Sequence, residues 1–541
     1  MYVWLEPELA RGRALWEWSA VGGPTIQASY RLDGLAAIGI AIGGLYIAAS
    51  LVATTRVSAR HQLLRPMVLL NGLVFLTLAV TDDLIACVVV LGALGAITSF
   101  ITLLVSPAAA VARITGYLAG GVQGFVVAAL LVSRFGGASF RFDAISPEAV
   151  TPGVVLAASL GAALFAGLYP FVPWGYRQEE AGERESLRGL LTMPAGLGAT
   201  LVLWRIVGVT RIDLSTLGLP GIISEPLIAA VVIVLALRFI VRRRKPGLRR
   251  RIAISAFLLV LILAYPFLHW SHLILIASLL SIAYAAAVSL ALPDQWPISR
   301  YDVVLAALWI ALATGSPTAL AGALVVVAGG ALAAVSDGFW MPPHRSYLTS
   351  MTSSTVIVAG AITITIGALE TPDLITLILA VVAASAVLGL ELAHAGRRLS
   401  IAAVPADLDV SASIASFLGT VMVFLALSLP LFDALSGAFG RPNTRALDDL
   451  VTLIPVIAVF STLLVVVARA VRVLLPELTA LSARLEAVVS AADPVPIAAA
   501  SFRALSGSAT TMSAVFAMFE ERAGVWLALM LIASLLVWAV R

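Results

Sequence analysis

Three ionisable side chains are candidates for moving protons or ions, because each lies in or beside a long apolar stretch. Asp83 sits at a predicted junction between two such stretches, and Glu391 and His394 are three residues apart on one helix face. Burying an acid or an imidazole in a membrane is costly, so such groups point to ion pathways by default. The alternative for Glu391 and His394 is that both reach the membrane surface and pair with the arginines at 397–398.

Other catalytic chemistry has little support in the residue pattern. His269 and His272 lie on a short turn and could share a zinc ion, but no third ligand lies nearby, so interfacial polar caps are the better interpretation. The sequence has no glycine-rich phosphate loop, no zinc-protease helix and no nucleophile elbow. Its one cysteine, Cys87, excludes an intrachain disulfide. We therefore expect no catalytic residue, no metal and no cofactor.

The composition decides which kind of element must hold these residues. Of 541 residues, 61% are hydrophobic and 12% are charged, and the mean hydropathy is +1.04. Soluble domains carry about 25% charged residues. A soluble enzyme, a disordered chain and a nucleic-acid binder are therefore excluded. Roughly 330 apolar residues are enough for about 16 membrane helices of about 20 residues each. The fold class is all-α, a polytopic transmembrane helix bundle of roughly 14–16 spans.

Hydropathy places the individual spans along the chain. The segment 302–332 contains Gly315, Ser316 and Pro317 at its middle, so it is either one long interrupted helix or two short helices. The predicted spans are 34–54, 66–81, 84–105, 112–132, 152–172, 187–208, 223–241, 252–267, 270–292, 302–332, 351–369, 373–391, 411–433, 450–471 and 522–540.

Arginine and lysine clusters predict the orientation. If 302–332 crosses twice, the clusters at 56–65, 242–251, 397–398 and 469–472 all fall on one side of the membrane. Because positive residues stay on the cytoplasmic side, this predicts an integral protein of a bacterial inner membrane with the N-terminus outside. The alternative role for these clusters is recognition of lipid head groups.

The two ends of the chain differ from its centre. Residues 1–30 lack the apolar region of a signal peptide, and their tryptophans predict a short interfacial helix. Residues 475–541 predict an amphipathic surface helix followed by an anchor span. Between them we expect a transmembrane core over 31–335 and peripheral transmembrane helices over 336–474.

An ordered series of short motifs resembles a known family. The matching stretches are Tyr30–Leu35, similar to an "LDGLS" helix start; Leu168–Trp174, similar to "P-x-H-x-W-L-P"; 191–205, similar to a core helix; Arg249–Ser255, similar to "D-x-K-R-L-I-A-Y-S-S"; and Ala313–Ala319, similar to the loop of a broken helix. In this order they resemble the antiporter-like membrane subunits of respiratory complex I, Mrp-type cation/proton antiporters and membrane-bound hydrogenases.

The residues that move protons in that family do not have counterparts here. The resemblance places the family's glutamate near Gly92, two lysines near Phe165 and Leu197, and a last lysine or glutamate near Val325. The central helix around 258–265 is apolar and aromatic. These degenerate channel positions imply that proton translocation has been lost, because a dry apolar core is a large barrier to a proton.

Three functional hypotheses follow. The first is a structural or assembly subunit of a complex-I-like or Mrp-like assembly, with other membrane subunits and lipid as partners and no nucleic acid. It would not be catalytic alone but could belong to a proton-translocating oxidoreductase. The second is an active proton or cation-translocating subunit that uses Asp83, Glu391 and His394. The third is an unrelated secondary transporter or lipid-handling enzyme with substrate gaps at 313–319 and 210–222.

Overall fold

The computed structural model describes residues 13–19, 25–57, 62–106, 108–134, 139–169, 171, 183–209, 269–291, 296–338 and 343–401. The predicted spans 223–241, 252–267, 411–433, 450–471 and 522–540, and the surface helix and anchor of 475–541, lie outside the described residues. The boundaries proposed for the domains therefore stay predictions.

Within the described residues the fold is a bundle of eleven α-helices preceded by two strands. The elements are β1 Arg13–Ser19, β2 Thr25–Tyr30, α1 Gly34–Val57, α2 Leu64–Val80, α3 Leu84–Val105, α4 Ala108–Arg134, α5 Pro152–Ala166, α6 Glu183–Val209, α7 Trp270–Ala291, α8 Trp296–Thr314, α9 Pro317–Gly338, α10 Pro343–Ala368 and α11 Leu374–Ile401.

The helices have the composition of membrane spans, since lipid requires every backbone polar group to be satisfied within the helix. In the described part of the chain, five apolar segments of α3, α4, α6, α7 and α11 are long enough to cross a bilayer. Large apolar side chains such as Leu73, Val89 and Leu130 point outward. Helices α8 and α9 are instead buried on nearly all sides, as expected of the bundle centre. The prediction of a polytopic helical membrane bundle is confirmed.

The interrupted segment 302–332 is two helices and not one. Helix α8 ends at Thr314, Gly315 adopts a left-handed φ of 62°, and α9 starts at Pro317. The two helices then run back along each other, since a methyl group added at Gly330 would lie 2.8 Å from Val304. The break is held by Glu370, whose carboxylate accepts hydrogen bonds from Ser316 (2.7 Å) and Thr318 (2.8 Å).

Helices α9 and α10 pack at unusually close range. Glycines spaced seven residues apart face the partner helix on both sides: Gly322 and Gly329 on α9, and Gly360 and Gly367 on α10. A methyl group added at Gly322 would lie 2.6 Å from the carbonyl oxygen of Gly360. Small residues at such contacts allow two membrane helices to approach and gain dispersion energy. This contact holds the centre of the bundle together.

The expected N-terminal interfacial helix is wrong for the described residues of 1–30. Strands β1 and β2 form an antiparallel hairpin in which Trp16 pairs with Ala28 and Trp18 with Ile26. Aromatic residues favour strands, and Gly22–Gly23–Pro24 between the two strands is a composition that disfavours helix. Leu15 and Trp16 are 76% and 60% exposed. The hairpin is therefore the exception to the all-α expectation.

We name the two ends of the bundle by this hairpin. Strand β2 bonds to the α2–α3 junction, so α1 begins at the hairpin end and finishes at the opposite end. Helix α8 begins at the opposite end, because its Tyr301 packs on Gly189 near the start of α6, whose last turns carry Arg205 at the hairpin end. Helix α11 finishes at the opposite end, where Glu391 meets Arg300 near the start of α8.

Candidate functional site

A cluster of charged residues closes the hairpin end. The carboxylate of Asp82 is fully buried between the guanidinium groups of Arg31 at 3.4 Å, Arg205 at 3.9 Å and Arg141 at 4.0 Å. Asp143 joins Arg31 and Arg141 at 2.8 and 2.7 Å. Burial raises the pKa of Asp82 to about 6, and the positive charges of Arg31 and Arg205 oppose that rise.

Arg205 reaches from α6 into the hairpin end of the bundle and caps the C-terminus of α2. Its guanidinium donates to the carbonyl oxygens of Thr81 at 2.6 Å and Ala79 at 2.7 Å, at the last turn of α2. It also pairs with Asp33 at 3.4 Å. A cation at a helix C-terminus satisfies carbonyls that have no intrahelical partner. Through these contacts Arg205 on α6 binds the end of α2 and the start of α1 together.

Asp83 is placed as a helix cap. Its carboxylate accepts hydrogen bonds from the backbone N–H groups of Ile85 at 2.9 Å and Ala86 at 3.0 Å, which begin α3. It also accepts from the backbone of Gln27 in β2 at 3.3 Å. An aspartate in this position satisfies the orphan donors of the first helical turn. The role of Asp83 in a relay stays a prediction, while its contacts are those of a cap that ties the hairpin to α3.

Glu391 forms a buried ion pair that the sequence did not indicate. Its Oε1 lies 3.1 Å from Nε of Arg300, and the two side chains are 0% and 2% exposed. Glu391 therefore does not reach the membrane surface to pair with the arginines at 397–398. Helix α8 begins at Trp296, six residues before the predicted span, which brings Arg300 inside the bundle. His394 follows one turn after Glu391 and is partly buried; its place in a relay stays a prediction.

His272 lies in the first turn of α7 and makes a polar contact with the start of α11, while His269 immediately precedes α7. Nε2 of His272 lies 2.6 Å from Oδ2 of Asp373, and its Nδ1 accepts the backbone N–H of His269 at 3.1 Å. This pattern assigns the remaining proton to Nε2, so that the imidazole donates to the carboxylate. The pair joins the start of α7 to the start of α11. Among the described residues no group of three or more metal-ligating side chains is brought together.

The predicted channel positions lie in two different environments. Phe165 on α5, Leu197 on α6 and Val325 on α9 are all buried in the core. Gly92 on α3 faces outward, since among the described residues nothing would touch a methyl group added there. Gly95, one turn later, faces inward, and a methyl group added there would lie 3.7 Å from the ring of Phe165.

The ring of Phe165 fills a slot between glycines. A methyl group added at Gly121 on α4 would overlap the ring, and Gly95 on α3 lies behind it. Beside Phe165, toward the opposite end, is a cavity of about 30 Å³ whose lining includes the polar residues Tyr117, Thr192, Tyr301 and Asp302. An aromatic ring therefore occupies the place where the family resemblance implies a lysine.

The described helices carry no Asp, Glu, Lys, Arg or His between the charged groups of the two ends. Uncharged polar pairs are found there instead. The indole N–H of Trp309 donates to Thr200 at 3.3 Å, and Thr98 donates to Asn71 at 3.3 Å. Such pairs satisfy each other but do not exchange protons near neutral pH.

Comparison with known proteins identifies the fold. No family model and no curated protein matches the sequence. Solved structures do match. One is a chain of respiratory complex I from Thermus thermophilus with bound NADH, at 13% identity and a TM-score of 0.51, covering 79% of this chain and 88% of that one. This chain shares the fold of that complex I chain. A chain of the Mrp complex from Dietzia sp. DQ12-45-1b matches at 15% identity and a TM-score of 0.54.

The Mrp match covers all of this chain but only 59% of that one, so this chain spans somewhat over half its length. At these identities the likeness concerns the fold. It confirms the helical bundle that the ordered motifs imply, whereas the expected broken helix around Gly315 is instead a pair of antiparallel helices.

Proposed function

We propose that this chain is an antiporter-like membrane subunit of a multi-subunit complex related to complex I or Mrp, and that its own transmembrane proton path is interrupted. The observation that carries the proposal is the Phe165 ring, which fills the slot between Gly95 and Gly121. The role that remains for such a subunit is structural: it occupies a place in the assembly and supports its neighbours.

The physical argument is a comparison of barriers. A proton crosses a membrane protein on titratable groups or along a continuous file of water. The described middle of the bundle offers neither an acid nor a base, and its side chains are mostly Leu, Val, Ala, Phe and Gly. An unpaired charge in such surroundings costs several kcal/mol or more, so it would seldom enter. Polar groups at the two ends are held in ion pairs and caps.

The assembly partners are other membrane subunits and lipid. Rows of exposed leucine, valine and isoleucine cover α2, α3 and α11 and suit a lipid or helix neighbour. Helices α1 and α11 both finish at the opposite end, which is consistent with arginines at 56–65 and 397–398 on one side. That side would be the cytoplasm of a bacterial inner membrane, with the N-terminal hairpin outside.

Two measurements test the proposal. Affinity purification from native membranes in mild detergent should recover other membrane subunits with the chain, and a stable isolated monomer would contradict the assembly role. Reconstituted into liposomes with an enclosed pH-sensitive dye, the chain should leave proton flux at the level of protein-free liposomes. A protonophore added last shows that the gradient was intact.

A second candidate function is proton or cation translocation through atypical residues. The observation that favours it is the buried pair of Glu391 and Arg300, because a buried ionisable pair inside a membrane is often part of an ion pathway. Flux that is present in the wild type and is lost in Glu391→Gln would select this candidate over the interrupted path.

A further inference from the structure

The cavity beside Phe165 has the features of a site for water. Its lining comes from the early turns of α4, α6 and α8 and from the C-terminal end of α5, all near the opposite end of the bundle. A site of about 30 Å³ holds about two water molecules, at about 10–15 Å³ each on this measure. Asp302 and Thr192 are among the residues that line it.

Tyr117 supplies an independent indication of an occupant. Its side chain lines the cavity and is only 7% exposed, and its hydroxyl has no hydrogen-bond partner within the part of the chain that the structure describes. Leaving a buried hydroxyl unsatisfied costs about 1–3 kcal/mol. A water molecule in the cavity removes that cost, since it can donate to and accept from the phenol.

The ring of Phe165 closes the inner side of this cavity. It extends from the last turn of α5 toward Gly121 and Gly95, and Gly95 lies at the middle of α3. The ring thus separates the cavity from the apolar middle of the bundle. A methyl group added at Gly121 would overlap the ring, so the ring packs directly against the backbone of α4 at that point.

We propose that this cavity is a blind aqueous vestibule, filled by water from the opposite end and closed on its inner side by Phe165. This proposal rests on the proposed function and assigns the interruption of the proton path to one side chain, Phe165. Water molecules reach Tyr117, Thr192 and Asp302 from one side of the membrane only. They go no further than the ring.

Cysteine labelling tests the vestibule. In a Cys87→Ser background the chain has no other cysteine, so each introduced thiol reports alone. Thr192→Cys should react with a small charged methanethiosulfonate reagent applied at the opposite face and not at the hairpin face. Glu148→Cys, in the exposed loop at the hairpin end, should show the reverse and marks vesicle orientation. If Thr192→Cys does not react from either face, the cavity is dry and the proposal is wrong.

A second pair of variants tests the ring. Gly95→Cys should be unreactive while Phe165 is present. It should react at least about tenfold faster when combined with Phe165→Ala, because the thiolate that reacts forms only where water is present. Gly92→Cys on the outer face of α3 is the matched control and should stay unreactive in both backgrounds. Gel filtration checks that each variant is folded, and Phe165→Val replaces Phe165→Ala if the latter aggregates.

The outcomes separate the vestibule from the proposed function. Labelling of Gly95→Cys with Phe165 in place, or no gain on removing the ring, would show that the ring is not the barrier. If the labelling pattern holds but wild-type liposomes conduct protons, the vestibule stands and the interrupted path is wrong. If liposomes are silent and Thr192→Cys is unreactive, the interruption stands without a vestibule.

Discussion

Glu391→Gln is the substitution that most directly separates a structural ion pair from a proton relay. The glutamine keeps the size of the side chain and removes its charge beside the buried guanidinium of Arg300. Unit charges 3.1 Å apart attract by about 5 kcal/mol at an effective dielectric constant of about 20. Breaking a buried ion pair by changing one partner costs about 3–5 kcal/mol, in agreement with that figure. We therefore expect a loss of about 3–5 kcal/mol of stability.

The assay is the thermal unfolding midpoint in mild detergent, followed by tryptophan fluorescence and compared with liposome proton flux. Arg300→Met should cost a similar amount, and Arg300→Met combined with Glu391→Leu should recover most of the loss, because two apolar side chains leave no buried charge. The matched control is Glu148→Gln, which makes the same chemical change on the exposed loop and should stay within about 0.5 kcal/mol.

Two results would refute this reasoning. A wild-type midpoint in Glu391→Gln would mean that the pair contributes nothing to the packing of α8 on α11. A double variant that loses the sum of the two single losses would mean that the charges do not interact. Under the proposed function, flux remains at background in every variant, whatever happens to the midpoint.

Three further changes test other parts of the fold. Gly360→Ala should lower the unfolding midpoint, since its methyl group would meet α9 backbone at 2.6 Å, whereas Gly389→Ala, which meets nothing among the described residues, should leave it unchanged or raise it. Asp83→Ala should cost about 1 kcal/mol and increase hydrogen exchange at the start of α3, while Asp83→Asn keeps the cap and most of the stability. Burial raises the pKa of Asp373, but hydrogen bonds from Thr376 and His272 outweigh that effect and lower the pKa to about 2. The stability that Asp373 adds over Asp373→Asn is thus complete above about pH 4 and disappears as the pH falls toward 2, as unfolding midpoints across that range would show.

Hydropathy alone predicts most of the helices. It places α3 at 84–105, the same bounds as in the structure, because Asp83 and Pro107 enclose a continuous apolar run. It also locates the break at Gly315, since glycine and proline interrupt a helix wherever they fall together. Whether that break separates two antiparallel helices depends on long-range packing, here the approach of Gly330 to Val304, and no local pattern contains it.

The candidate site was less predictable for the same reason. Arg300 lowers the local hydropathy, so the predicted span begins after it, and its partner Glu391 is 91 residues away. Gly92 and Gly95 differ by one helical turn, and only the position of the Phe165 ring shows which of them faces the core. The prediction of an interfacial helix from the tryptophans misses the N-terminal strands, although the Gly–Gly–Pro sequence between them disfavours a helix.

The backbone hydrogen bonds at the hairpin end bear on the order in which the chain folds. Backbone hydrogen bonds outside the two-stranded sheet join Ser29 to Asp82 at 3.0 Å and Asp82 to Phe142 at 3.1 Å, so three distant points of the chain meet at the hairpin end. They can form only after the first four helices have been inserted with the correct alternation. Closing such large loops is slow and gains little until the helices are in place. These bonds are therefore expected to form late in folding, once the first four helices are correctly inserted.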